Sequence, residues 1–370
     1  MIKPRPKNQD GRLLMASNPS DVLLLFTAYK GKEIGALYIK DRLNRVFAQG
    51  EGLPLGTVCI GKVSEIRPEM NSAFLLLAGK QKCFIHLNEL TPEQNLRRPG
   101  SDVKCGDDYV VRIIKEPAKG KLASATAKLK EDEMPLFEKA KNRTDFYILK
   151  KKDYIGNALD YLTGLVNNNI GAGGNQDVSG ENFNGEINRS VRIISDTESI
   201  YKVIRERLES DDGYDVLKAF LSEDSPRFYQ DELVKLSVLY RLEAQLEEAL
   251  CERVWLKSGA YLVIEYTEAM TVIDVNSGKC EKHSGEDYFL EINKEAGSEI
   301  LRQLVLRNLS GMIVIDFINL KNKNSQKDLS DFMQNAIRRS DPESRFFGFT
   351  NLGLAEMTRK KNGKPLFEQF

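Results

Sequence analysis

Apolar residues fall into short strand-like runs over the first third of the chain, helical stripes through the middle, and strand-like runs again towards the C-terminal end. Asp21 to Ala28 (DVLLLFTA) and Ile34 to Lys40 predict two strands, and Asp41 to Ala48 a third short strand or a helix. Five more strands are predicted between Leu55 and Lys130: Thr57 to Ile66, Ala73 to Leu77, Lys82 to His86, Tyr109 to Lys115 and Lys121 to Leu129. The turn residues Pro68-Glu69, Gly79-Lys80 and Lys119-Gly120 separate several of them. Five strands in this length fit a small OB-type barrel. Glu131 to Asn142, Asp153 to Val166 and Ser199 to Glu209 predict helices. Asn167 to Ile187 is rich in Asn and Gly and predicts a long loop. Phe228 to Val254 reads as one long helix. Its Leu233, Leu236, Leu239, Leu242, Leu246 and Leu250 recur at steps of three or four, a core stripe or a seam against a partner. Trp255 is expected to pack near its end.

Tyr261 to Lys279 (YLVIEYTEAMTVIDVNSGK) predicts two strands joined by a turn at Thr267-Glu268-Ala269. Alternate side chains share a face, so Asp274 and Asn276 point the same way at the end of the second strand. Gly311 to Phe317 (GMIVIDF) predicts a buried-type strand that delivers Asp316 at its end. A helix over Gly285 to Leu309 connects the two, which favours parallel pairing and brings Asp274 and Asp316 to one edge of a sheet. Two carboxylates there repel unless a cation lies between them. Oxygen ligands that leave several waters in place suit Mg²⁺, which activates water and stabilises phosphate charge. An Asp at a strand end is also a common turn former or cap. For either residue alone that plainer reading is stronger; for the pair the two are level. Beyond the second acid, Asn319 to Leu329 is polar and Lys-rich, and Asp328 to Arg339 is helical. Phe346 to Phe349 is a final strand, and Leu352 to Arg359 (LGLAEMTR) a turn and helix.

Composition narrows the class. With 41% hydrophobic and 29% charged residues in 370, the chain is of globular type, with length for two or three domains. No run is long and apolar enough to span a membrane, and MIKPRPKNQDGRLL lacks a signal-peptide core, so a cytosolic location is expected. Cys59, Cys83, Cys105, Cys251 and Cys280 form no CxxC pair and read as reduced structural thiols. Cys280 with His283 is a weak metal signal without further ligands. Lys and Arg balance Asp and Glu at 54 each, so nucleic-acid contact must come from local basic patches. Glu295, Glu299, Arg302 and Arg307 read as an exposed face of the helix after Gly285. Lys119, Lys121, Lys128 and Lys130 form a basic run, either a contact surface or a solvated face.

TEAMTVIDVNSGK, EINKEAGSEILRQLVLRNLSGMIVIDFINL and TNLGLAEMTRKK together resemble the ribonuclease E/G family, bacterial endoribonucleases that cut single-stranded RNA. The resemblance runs from about Tyr261 to Lys361. It implies a catalytic Mg²⁺ held by Asp274 and Asp316, and an assisting amide at Asn276; whether Mn²⁺ replaces Mg²⁺ stays open. GTVCIGKVSEIRPEMNSAFLLLAGKQKCFIHLNEL resembles an S1 RNA-binding domain. From spacing alone, Phe74 and Phe84 are better read as barrel core. The resemblance instead turns both towards RNA, with Lys121 nearby. Lys119 belongs to the basic run, and Arg359, Lys360, Lys361 and Lys364 read either as RNA-backbone contacts or as a solvated tail.

The fold implied is α+β with several subdomains. An RNase H-like subdomain takes residues 1–54 and 191–273, with an S1/OB-type barrel inserted at 55–130. A linker and degenerate 5′-sensor-like region spans 131–190, and a DNase I-like catalytic subdomain 274–370. The V-R-T-A-type motif of the family's 5′-phosphate pocket is not found between Phe146 and Val191. The nearest piece, Ser190 to Ile194, reads as a strand. The family's zinc link and small C-terminal domain are not found before Phe370, so no zinc is expected, and a homodimer through another surface stays open. Two functions compete: a Mg²⁺-dependent endoribonuclease acting in RNA processing or decay, and an RNA-binding scaffold with weak or no activity. A phosphoesterase acting on DNA or small molecules is a third, less favoured class.

Overall fold

The computed structural model describes residues 22–48, 52–117, 121–141, 146–150, 153–171, 191–231, 233–278, 285–340, 343–361 and 363–370. Lys119, Cys280, His283 and most of the Asn/Gly-rich stretch lie outside the described residues. In chain order come strands β1 (Val22–Tyr29), β2 (Lys32–Ile39) and β3 (Arg42–Ala48). Strands β4 (Val58–Arg67), β5 (Ser72–Leu76), β6 (Lys82–His86), β7 (Asp108–Lys115) and β8 (Ala123–Thr126) follow. Helix α1 (Met134–Ala140), strand β9 (Ile148–Lys150), helix α2 (Tyr154–Gly171), strand β10 (Val191–Ser195) and helix α3 (Glu198–Ser210) come next. Helix α4 (Asp215–Phe220), strand β11 (Arg227–Phe228) and helices α5 (Leu236–Leu239) and α6 (Leu242–Leu250) lead to the last section. It contains β12 (Arg253–Trp255), β13 (Tyr261–Tyr266), β14 (Met270–Asn276), helix α7 (Glu286–Leu306), β15 (Gly311–Asp316), helix α8 (Lys323–Ser340), β16 (Ser344–Phe349) and β17 (Ala355–Arg359).

Two compact units result. One, Ala48–Asn157 with Lys360–Phe370, is built on a closed ring of strands in the order β4-β5-β6-β8-β7 and back to β4. β6 and β8 are parallel and the other pairs antiparallel, an OB-like barrel. Strand alternation fills its interior with Ala73, Leu75, Cys83, Ile85, Val111 and Ile113. Burial pushes the Cys59 and Cys83 thiols up to about 12, which keeps them protonated and inert.

The other unit, Met1–Phe47 with Ala158–Arg359, holds two sheets. The first has the order β11-β10-β1-β2-β3, with β10 parallel to β1. Val22 to Phe26 is almost wholly buried, which explains its unbroken apolar run. The second has the order β12-β13-β14-β15-β17-β16. Ile273, Val275, Ile313, Ile315 and Met357 on one face share a core with Ile300 and Leu304 of α7 and Met333 of α8. Gly297 permits close helix packing, since a Cβ there would lie 2.6 Å from the Met333 sulfur.

Several expectations change. The long helix over Phe228 to Val254 is instead α5 and α6, broken where Arg241 takes a positive φ of 52°. Leu236, Leu239, Leu242 and Leu246 are buried, but Leu233 is 94% exposed and Leu250 lies outside the core. Trp255 does not pack at a helix end; it stands on β12 and is 63% exposed. LGLAEMTR is not a turn and helix. Its Ala355, Met357 and Arg359 are buried in alternation with Glu356 and Thr358, a period of two, and it forms β17 between β15 and β16. Helix α2 continues through Gly171, past the expected loop start at Asn167.

Candidate active site and nucleic-acid face

β14 and β15 are parallel, and their register sets Asp274 directly opposite Asp316. Neighbouring strands lie about 4.8 Å apart, so the two side chains leave the same face as close neighbours. Both are exposed. Asn276 Nδ2 donates to Asp274 Oδ2 at 2.7 Å, a neutral contact that orients the carboxylate without cancelling its charge. Among the described residues, no three His, Cys, Asp or Glu side chains gather as a metal cage. Two adjacent, exposed carboxylates instead fit a hard cation that keeps most of its water.

The strand ends are fixed from behind. Asn293 of α7 is fully buried; its Nδ2 donates to the Ile318 carbonyl at 2.8 Å and its Oδ1 accepts from the Ile318 N–H at 3.0 Å. That pair holds the chain two residues beyond Asp316. After Asn276, Gly278 has a φ of 62°, and a Cβ there would collide with the Gly259 carbonyl. The sequence pattern did not single out Asn293; a polar residue within an apolar helical stripe was the available signal.

The polar residues of α7 are not an exposed face. Glu299 and Arg307 are buried, and β3 reaches α7 at Glu299 and Arg302. Arg302 hydrogen-bonds Glu299 and the Leu43 carbonyl, Arg42 pairs with Glu299 at 2.9 Å, and the Leu43 N–H donates to Gln245 at 2.7 Å. Burial works against the Glu299 charge. Hydrogen bonds from Arg302 and Gln303 and the charges of Arg302 and Arg42 nevertheless hold its carboxyl below the usual range. Burial, then the Arg302 charge, brings the Arg307 guanidinium down to about 10.

On the barrel, Phe74 and Phe84 are directly paired across β5 and β6 and stand on the outer face, not in the core. Their ring centroids are 6.2 Å apart at 72°, and His86 meets Phe84 edge-on at 5.0 Å. The Arg67 guanidinium lies 5.3 Å from the Phe74 ring. Lys121 and Lys360 are exposed. Arg359 is not available as a backbone contact. Its side chain is fully buried, donates to Asn308 and the Leu309 carbonyl, both at 3.1 Å, and pairs with Glu343 at 3.5 Å, so its charge is used inside the fold.

A family model described as Ribonuclease E/G family matches residues 118–362, which include Asp274, Asn276 and Asp316. The chain belongs to the ribonuclease E/G family. It is similar to Ribonuclease E of Synechocystis sp., with 27% identity over 402 residues, covering 91% of this chain and 57% of that protein. Ribonuclease G of Escherichia coli K12 is 26% identical over 363 residues, covering 84% of this chain and 74% of its own. Ribonuclease E of Nostoc sp. is 35% identical over 180 residues, 48% of this chain and 26% of its own length. The chain thus spans little more than half of the first of these relatives. The ribonuclease E/G match includes β12 to β17 and α7, the framework that carries the acid pair.

Proposed function

We propose that this chain is an endoribonuclease of RNA processing or decay, hydrolysing single-stranded RNA with a divalent cation, Mg²⁺ or Mn²⁺. The observation that carries the reading is the in-register pair Asp274 and Asp316, with Asn276 bonded to the first. Asp274 and Asp316 would hold the cation, and Asn276 would orient Asp274 and the scissile phosphate. The cation, when bound, supplies Lewis-acid stabilisation of phosphate charge and a more acidic water. In the barrel unit, Phe74 and Phe84 would stack unpaired bases, while Lys121 and Lys119 follow the backbone, with Lys360 as a further contact. An S1-type barrel, an RNase H-like first sheet and a DNase I-like catalytic region are part of the same reading. The strand orders and the relatives' names support it.

Cleavage of a short fluorescent single-stranded RNA tests the proposal, with Mg²⁺ or EDTA, comparing wild type and Asp316→Asn. Metal-dependent cuts that disappear in the variant are expected. Binding without cuts in every condition would sink the nuclease reading and leave an RNA-binding scaffold.

A further inference from the structure

One face of the second sheet is filled by helices; the opposite face carries the acid pair and an aromatic cluster two strands away. The register defines two rows across that face. Arg253, Val263, Asp274 and Asp316 oppose one another on successive strands, and so do Trp255, Tyr261 and Asn276. Tyr261 is therefore the immediate cross-strand neighbour of Asn276, and Trp255 the next residue out. The Trp255 and Tyr261 rings lie 5.1 Å apart. The Arg253 guanidinium stacks 4.6 Å from the Tyr261 ring and 5.8 Å from that of Trp255.

We propose that Trp255 and Tyr261, braced by Arg253, form a platform that stacks an unpaired base of the RNA strand whose scissile phosphate lies at Asp274 and Asp316. The proposal rests on the nuclease reading and adds to it a positioning subsite. A tryptophan 63% exposed leaves a large apolar surface in water, whereas its inward neighbours Val254 and Leu256 are buried. Strand alternation thus commits Trp255 to the face that carries the acids. Every base offers a π-face to such rings, and Arg adds a cation that favours a polyanionic strand. Two strand spacings, about 10 Å, separate the Trp255 backbone from that of Asn276. That separation suits a base adjacent to the cut or one beyond it. The platform would set which linkage reaches the acids without choosing the base, because stacking tolerates any sequence.

Trp255 is the sole tryptophan, so its emission is a native probe of the site. Wild type in EDTA, and Asp316→Asn in Mg²⁺, would be titrated with a short single-stranded RNA. A matching series would carry one abasic residue moved along the strand, with Trp255→Phe as the blank. Saturable quenching that disappears for one abasic position and survives for the others is expected. In cleavage, Trp255→Ala should raise KM about tenfold or more and scatter the cut sites while kcat changes little; Trp255→Phe should restore both. Emission that stays constant while anisotropy shows the RNA bound would overturn the platform, whether or not the wild type cuts. So would emission that follows protein concentration and ignores RNA, which would place a second copy on this face. Position-dependent quenching without any cleavage would leave the platform standing and remove only the nuclease reading.

Discussion

Asn293 holds Ile318 by both of its backbone polar groups, and so fixes the exit of the strand that carries Asp316. Replacing it with alanine leaves the N–H and the carbonyl of the partly buried Ile318 without this partner. Asn293→Ala is expected to cost about 1–3 kcal/mol in denaturant unfolding. At temperatures where the variant stays folded, cleavage should fall because Asp316 is no longer held in register with Asp274. Full activity in a folded variant would show that the clamp is not needed at the site.

Asp274→Asn keeps size and hydrogen-bonding capacity but removes one charge of the pair. Cleavage should drop by about 10²–10³-fold or more in kcat, with RNA affinity within a few-fold of wild type. Rates and filter-binding constants measured on the same RNA check both halves.

On the barrel, Phe74 and Phe84 are partly exposed on the outer face, outside the packed interior. Phe74→Ala and Phe84→Ala should each weaken RNA binding by about 1–3 kcal/mol, with the thermal midpoint almost unchanged. A lowered midpoint with unaltered affinity would return both rings to a packing role.

Glu299 predicts a pH dependence. Its folded carboxyl sits below the ordinary value of 4.5, so in acid the unfolded chain binds the proton more readily than the folded one. Its contribution is complete above about pH 4.5 and is lost as pH falls through the lower folded value. Wild-type stability should therefore drop more steeply below pH 4.5 than that of Glu299→Gln. At neutral pH, Glu299→Ala should cost about 3–5 kcal/mol, since Arg302 and Arg42 lose their shared partner.

Arg359→Ala should lower stability and leave the RNA affinity of the folded fraction unchanged, because the guanidinium faces Asn308 and Leu309. A salt-dependent loss of RNA binding at constant stability would contradict this placement.

The acid pair was legible in the sequence because each half is a local pattern. Asp274 and Asp316 both end apolar runs, and the helical stretch between them requires a crossover. The barrel was legible for a similar reason, since its five strands and turns follow one another along the chain. What stayed hidden depends on partners far away. Glu299 and Arg302 read as surface because nothing local shows that β3, some 250 residues earlier, meets them. Phe74 and Phe84 carry the aromatic and apolar content of a core; only closure of the ring decides that they face out. Arg359 and Trp255 exchanged expected places, the charge going inside and the indole outside. Alternation along β17 and β12 sets that outcome, whereas the sequence pattern at both predicts a helix or a helix end.

The position of β17 bears on how the protein is made. β15 is flanked on one side by β14 and on the other by β17, whose residues 355–359 are translated well after Asp316. A growing chain on the ribosome has the acid pair long before it has the strand that seals it. Until that strand arrives, the Asp316 strand presents an open edge with Met312 and Val314 beside it, prone to wrong pairing. On that order of synthesis, the framework around Asp316 is complete only once residues 355–359 have been made.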